Sequence, residues 1–350
     1  MTMIIEDSVE KSESPSTTAM INDTAETKVV MTGKFEDNDN GAAETMLARK
    51  HLAQKHYYPS DKVHTADIPQ SYIEPQTTSL AVEAAVSIII NGIHYAILMA
   101  SPYQLEYLAI GFLFSEGLIQ HSHELLDWEV THLTDIDSYQ KFAQASRDED
   151  FEPSSFEQSL QQFQDYDIYI VELILSQRCH QRIQAQKRQL AGRTGCGMCG
   201  ITGLTQALPD LSHYSQANMH SYKAPVPSLD YLLVLRQQVD AAQHTHQLTG
   251  AVHAAATMYN QQLYLFEDVG RHNALDKLIG WQLRQKAEVD CVLMTSRLSI
   301  ELVQKSIRSH IPWLVGMSAP TSTAVRVAER YGLGLAGFLR NNRVTYYSQV

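Results

Sequence analysis

The sequence predicts an α/β protein: a mixed, largely parallel sheet flanked by helices, with a smaller N-terminal α+β subdomain and a disordered N-terminal extension. Three observations carry this. From residue 228 onward, short apolar runs alternate with amphipathic stretches of 10–15 residues, the pattern of strands joined by helical crossovers. Asn91-Gly92 sits between two β-rich runs, a strong signal for a two-residue hairpin turn. Residues 1–75 are rich in Ser, Thr, Asp, Glu and Asn with no sustained periodicity, so they lack the apolar density that offsets ordering entropy.

In chain order, residues 87–98 form the expected hairpin. Pro102 opens a helix through Leu105, Leu108, Ile110, Leu113 and Leu118, placed where a missing N–H costs little. Residues 135–165 interrupt the apolar pattern as an acidic insertion, and 167–175 resume as a strand. Helices are expected at 228–243, 273–282, 300–309 and 319–331. Strands are expected at 262–266, 290–295, 313–317, 333–339 and 344–347. The chain therefore divides into the extension (1–75), the N-terminal subdomain (76–185), a cysteine-bearing loop (186–225) and an α/β core (226–350). No internal repeat is apparent.

The net charge of −12 is unevenly placed. Residues 1–75 hold 13 acids against 7 bases and residues 131–167 hold 9 against 2, which leaves the rest nearly neutral. No Lys/Arg stripe marks a nucleic-acid surface. No apolar run approaches the roughly 18 residues that span a bilayer, and the N-terminus has no basic-then-apolar export pattern. Four cysteines without such a pattern indicate reduced thiols in a cytoplasm.

Two of these thiols stand apart. Arg193-Thr194-Gly195-Cys196-Gly197-Met198-Cys199-Gly200 brackets both with glycines, so no neighbouring side chain covers them. Cys-x-x-Cys spacing lowers one thiol below its free pKa of about 8.5 and raises the reactive thiolate fraction. Cys179 and Cys291 lie in or beside apolar runs and read as buried small hydrophobes. The loop also fits Gly-x-Gly-x-x-Gly, as does Gly332-x-Gly334-x-x-Gly337, but neither stands between a strand and a helix in the order a dinucleotide site requires. A zinc module needs two further ligands, and no second Cys-x-x-Cys pair follows. A zinc deaminase needs His-x-Glu, whereas His253 is followed by Ala254 and Ala255. Dithiol redox chemistry stays open as an alternative, although no apolar strand immediately precedes the loop.

The second dense patch is 266–277. It places Gly270, Arg271 and His272 at a helix entrance, where backbone N–H groups and a guanidinium suit a phosphate or pyrophosphate. The equal alternative is a salt-bridged cap in which Asp268 or Asp276 pairs with Arg271 and Lys277. Thr295-Ser296-Arg297 and residues 318–323, with Ser318 and Thr321, repeat the strand–polar turn–helix layout. Three such turns would line one sheet edge, where α/β proteins place ligands. Arg340 and Arg343, past the last long strand, could add charge there or simply be solvated.

Together these segments resemble the formate dehydrogenase accessory sulfurtransferase family (FdhD). The matching stretches are 105–117, 193–200, 249–254, 266–280, 295–305 and 318–340, and the acidic insertion departs from the usual pattern. The resemblance implies a cytidine-deaminase-like core and a sulfur carrier. Sulfur would pass from a cysteine desulfurase to the molybdenum cofactor, bis-molybdopterin guanine dinucleotide, for the catalytic subunit of formate dehydrogenase. It makes Cys196 the persulfide carrier and Cys199 its assistant. It also puts cofactor binding on Phe338, Leu339, Arg340, Asn341, Asn342 and Arg343, with Asn341-Asn342 where relatives often carry Pro-Gly-like turn residues. A homodimer, with no resident metal and no nucleic-acid or membrane partner, is the further expectation.

Overall fold

The computed structural model describes residues 29–30, 46–57, 72–134, 138, 166–187, 208–215 and 224–348. In chain order these contain strands β1 (Val29–Val30), β2 (Ala48–Tyr57), β3 (Tyr72–Ala81), β4 (Ala84–Ile90) and β5 (Ile93–Ala100). Helix α1 (Leu105–Ser115), strands β6 (Leu125–Leu133) and β7 (Ile168–Leu175) and helix α2 (Gln177–Lys187) follow. The second half holds α3 (Leu229–Ala242), α4 (His244–Thr249), β8 (His253–Tyr259), β9 (Gln262–Asp268) and α5 (Arg271–Gln285). It closes with β10 (Cys291–Met294), α6 (Ile300–Arg308), β11 (Trp313–Gly316), α7 (Ser322–Tyr331), β12 (Gly334–Arg340) and β13 (Arg343–Ser348).

The principal sheet has the order β1-β9-β8-β10-β11-β12-β13. β10, β11 and β12 run parallel, joined by crossovers through α6 and α7, and β1 runs parallel with β9, while β8 runs against both neighbours and β13 against β12. Helices cover both faces. On one, Leu275 and Leu278 of α5, Leu302 and Val303 of α6 and Ala324 and Ala328 of α7 bury Val292, Met294 and Leu314. On the other, Leu232, Leu235 and Val239 of α3 bury Ala254, Leu293, Trp313 and Val315. This is the mixed α/β core that the alternation of apolar runs and helical stretches predicts. The one central strand missed is β8. Its Ala254-Ala255-Ala256 run has weak strand propensity, but small side chains fit where two helix layers press on one strand.

The N-terminal sheet has the order β5-β4-β7-β6 and lies on α1 and α2. Asn91 and Gly92 make the expected turn with φ of 49° and 76°, the left-handed conformation that a two-residue hairpin requires. Pro102 precedes the helix instead of opening it, since α1 starts at Leu105 behind Gln104 at φ 56°. Cys179 and Cys291 are buried as expected, with the Cys179 thiol donating to the Leu118 carbonyl (3.3 Å).

The expected boundary at residue 75 moves. β2 lies inside the supposed extension and pairs with β3 residue for residue, from Ala48 opposite Ala81 to Tyr57 opposite Tyr72. β1 pairs parallel with β9. Sequence patterning missed β2 because it is polar on both faces, with nine of the ten positions from Ala48 to Tyr57 carrying no large aliphatic side chain.

The two sheets meet through helices at very short range. A methyl group on Gly111 of α1 would stand 1.8 Å from the Asp276 carbonyl oxygen, and one on Gly280 of α5 would stand 2.0 Å from that of Tyr107. The backbones of α1 and α5 therefore touch. A buried charge cluster extends the joint: Lys305 Nζ donates to both carboxylate oxygens of Asp276 (3.0 Å each), to Ser115 Oγ (2.7 Å) and to Glu116 Oε1 (3.1 Å). Burial opposes the ammonium charge, but Asp276 and Glu116 outweigh it and hold the Lys305 pKa above its ordinary value.

Candidate functional site

β9, β10, β11 and β12 run in one direction, so their C-terminal ends share an edge of the principal sheet. Each of the first three continues into a polar turn and a helix, so α5, α6 and α7 all start at that edge. Unpaired helix N–H groups and the positive ends of three helix dipoles converge there, which favours an anion. Ser299 precedes α6, and Thr321 caps α7 by accepting the Ala324 N–H (3.3 Å).

The entrance to α5 shows how the acids and cations of residues 266–277 pair. Asp268 is fully buried and pairs with the equally buried Lys277 at 2.7 Å. Its Oδ1 accepts from the Gly270 N–H (2.8 Å) and Asn273 Nδ2 (3.0 Å), and its Oδ2 accepts from the Ser101 N–H (3.1 Å). Asn273 also donates to the Met99 carbonyl (2.8 Å) and Lys277 to that of Ser101 (3.2 Å). This half of the motif is a cap that ties the end of β5 to the start of α5. Asp276 pairs with Lys305, not with Arg271 or Lys277 as the capping alternative had it. The cap leaves Arg271 unused, and among the described residues its buried Nε has no hydrogen-bond partner.

Two imidazoles flank Arg271. His272 Nε2 lies 3.4 Å from Ser299 Oγ and 4.0 Å from Glu301 Oε2. Burial, then the charges of Lys305 and Arg271, push its pKa down to about 4, so it is neutral at pH 7. His253 opens β8 opposite Asp268, and burial followed by Arg271 lowers its pKa too. Sequence reasoning gave His253 no role, although it stands in the 249–254 stretch that carries the resemblance. The register of β8 against β9 is what brings it to this edge.

The remaining turns meet the same edge. Thr295 Oγ1 accepts from the Ala254 N–H (2.9 Å), Leu298 bridges to Pro320, and the Ser318 carbonyl accepts from the Phe338 N–H (3.1 Å). Arg297 is exposed. Phe338 is exposed as well, with φ of 51°, inside an irregularity of the β12–β13 pairing between Gly337 and Arg340. A bulky residue held left-handed with its ring in solvent is the kind of local strain that binding sites retain. Leu339 departs from expectation: its side chain is wholly buried in the α3-facing core, and its carbonyl accepts from Arg236 Nη1 (3.1 Å). Strand alternation sends Phe338 and Leu339 to opposite faces. Arg340 donates to the Met317 carbonyl, and Asn341, Asn342 and Arg343 are exposed at the turn into β13. Gly270, Arg271, His272, Ser318 and Thr321 thus gather at one edge, next to the segment 338–343. Cys196 and Cys199 lie outside the described residues. Among those described, no cluster of His, Cys, Asp and Glu could hold a metal ion, and no helix is long and apolar enough to cross a membrane.

A family model described as "FdhD/NarQ family" matches residues 81–350. The chain belongs to the FdhD/NarQ family. Among its relatives, the "Sulfur carrier protein FdhD" of Shewanella oneidensis is 34% identical over 285 residues, covering 80% of this chain and 88% of that protein. The protein of the same name from Chromobacterium violaceum is 37% identical over 280 residues, covering 78% and 90%. In fold, the chain is similar to the crystal structure of a putative formate dehydrogenase accessory protein from Desulfotalea psychrophila. The TM-score is 0.54 at 18% identity, covering 87% of this chain and 97% of that one. The FdhD/NarQ match begins at the last residue of β3, so β2 and nearly all of β3 precede it.

Proposed function

We propose that this protein is a cytoplasmic, homodimeric sulfur carrier. It takes sulfur from the persulfide of a cysteine desulfurase onto Cys196 and delivers it to the molybdenum cofactor destined for formate dehydrogenase. Membership of a family whose curated relatives are sulfur carriers, joined to the glycine-bracketed Cys196 and Cys199, carries this reading. The remaining thiols support it by exclusion. Cys179 is buried and donates to a carbonyl, and burial pushes the Cys291 thiol far above its ordinary pKa. Both thiols are buried, out of reach of a protein donor.

The Cys196 thiolate attacks the outer sulfur of the donor persulfide. The new S–S bond leaves Cys196 as a persulfide and the donor cysteine as a thiolate, with no net oxidation. The bound cofactor is the substrate that receives the outer sulfur. Cys199 can release it by attacking the inner sulfur, which expels hydrosulfide and leaves a Cys196–Cys199 disulfide for a cellular dithiol to reduce. The pyrophosphates of a guanine dinucleotide suit the three helix starts and Arg271, with Arg297, Arg340 and Arg343 adding charge. Phe338 offers an exposed ring to a planar base.

The test is to incubate the protein with a cysteine desulfurase and cysteine, then locate added sulfur by peptide mass spectrometry. A single sulfur is expected on Cys196, absent from Cys196→Ser, and discharged on addition of the molybdopterin guanine dinucleotide. Discharge should slow at least tenfold in Arg271→Ala. Sulfur on Cys179 or Cys291 alone would overturn the reading. Stoichiometric zinc in the purified protein, lost in Cys199→Ser, would replace it with a metal module.

A further inference from the structure

We infer that the β2–β3 ribbon is a docking arm that takes an extended, acidic protein segment along the outer edge of β2. The ribbon lies almost wholly before the residues that the family model matches, and the sulfur reading gives it no role. Ten paired positions make an arm about 30 Å long. It is fixed at its base, where the Val82 N–H donates to the Leu47 carbonyl and Arg49 pairs with Asp167 at 2.6 Å. Beyond that base both strands are largely exposed on both faces. An isolated two-stranded ribbon is marginal in water, so one of this length is better suited to being completed by another strand than to standing alone.

Its chemistry selects the partner. β2 carries Arg49, Lys50 and Lys55 with His51 and His56 and no acid, and β3 contributes only Glu74. This concentration of cations, in a chain of net charge −12, favours an anionic ligand and steers its approach. One face carries Lys50, Leu52 (70% exposed), Gln54 and His56 on β2, with Ile73 (54% exposed) across from His56. Exposed aliphatics between the charges fit a polypeptide better than a nucleic-acid backbone.

The edge is set by the backbone. Among the described residues β2 pairs only with β3, which leaves a row of N–H and C=O groups along its other side. β3 carries Pro75, which cannot donate, whereas β2 has no proline. An incoming strand would place acidic side chains against Lys50 or, with the other face presented, against Lys55.

The experiment uses the full chain and a fluorescent eight-residue peptide of alternating Glu and Val, with no sulfur donor or cofactor present. Fluorescence anisotropy should show binding that weakens with added salt. A Lys-Val peptide and a single-stranded oligonucleotide of equal length should bind at least tenfold more weakly. Lys50→Glu with Lys55→Glu should cost at least tenfold at an unchanged melting temperature, and Leu52→Thr, a strand-tolerant change, a smaller factor. Equal binding by the charge-reversed variant, or tighter binding of the oligonucleotide, would overturn the inference. So would binding that appears only after deletion of residues 135–165, because the edge would then belong to the chain's own acidic segment. None of these results depends on whether Cys196 carries sulfur.

Discussion

His272 shows how far one side chain can be set by its surroundings. Its pKa of about 4 in the folded protein lies below the ordinary 6.5, so the unfolded chain binds the proton more tightly. Stability from this residue is therefore complete above pH 6.5 and is lost as the pH falls toward 4. The shift corresponds to about 3 kcal/mol at its limit. Denaturant melts of the wild type should lose stability across this window, whereas His272→Gln should give a flatter profile. A variant profile as steep as the wild type's would assign the loss to other groups. The residue scale is also where the sequence was least legible. Gly270, Arg271 and His272 could be picked out because they interrupt an apolar pattern at a strand end. The fate of Asp268 could not, because one of its partners, Ser101, comes from 167 positions away. Leu339 sits in the same motif as Phe338, and only strand alternation separates a core side chain from an exposed one.

At the scale of elements, β-branched and apolar runs made β9 through β12 legible, and the turns between them followed. β8 and β2 escaped for opposite reasons. One is an alanine run made into a strand by burial, and the other is a polar run made into a strand by its partner. Helix packing was equally hidden, since a glycine inside a helical pattern reads as a weakness until the opposing backbone is seen. Gly111 and Gly280 are in helices where alanine would ordinarily stabilise. Here the added methyl groups have nowhere to go, and backbone atoms cannot rotate aside as a side chain can. Gly111→Ala should destabilise the protein by about 3 kcal/mol or prevent folding, by the overpacking of a closely fitted contact. An exposed control, Gly250→Ala, has open space but φ of 66° and should cost only about 1 kcal/mol. Urea titration distinguishes the two, and a Gly111→Ala protein as stable as wild type would mean the helices can part at little cost.

For the molecule as a whole, the sequence suggested two units, and the structure joins them at several places, four of which stand out among the described residues. These are the α1–α5 contact, the Asp268 cap on Ser101, the Lys305 cluster on Ser115 and Glu116, and the Arg284 guanidinium stacked 4.0 Å over the Trp128 ring. The first three of these links are buried and should make the two sheets melt together. Trp128 lies in the N-terminal sheet, and Trp281 and Trp313 lie in the core. Single-tryptophan variants should therefore report coincident thermal transitions, and separated midpoints would show two independent units. The sequence could not reveal this union because each link joins residues far apart in the chain.

Backbone-to-backbone contact between α1 and α5 leaves no cushion of side chains on which one half could slide past the other. Closure of one sheet on the other is then a poor source of motion in this fold. The strand-end edge is therefore held in a fixed position relative to the N-terminal sheet. On the proposed function, a cross-link across the two helices would leave sulfur transfer untouched.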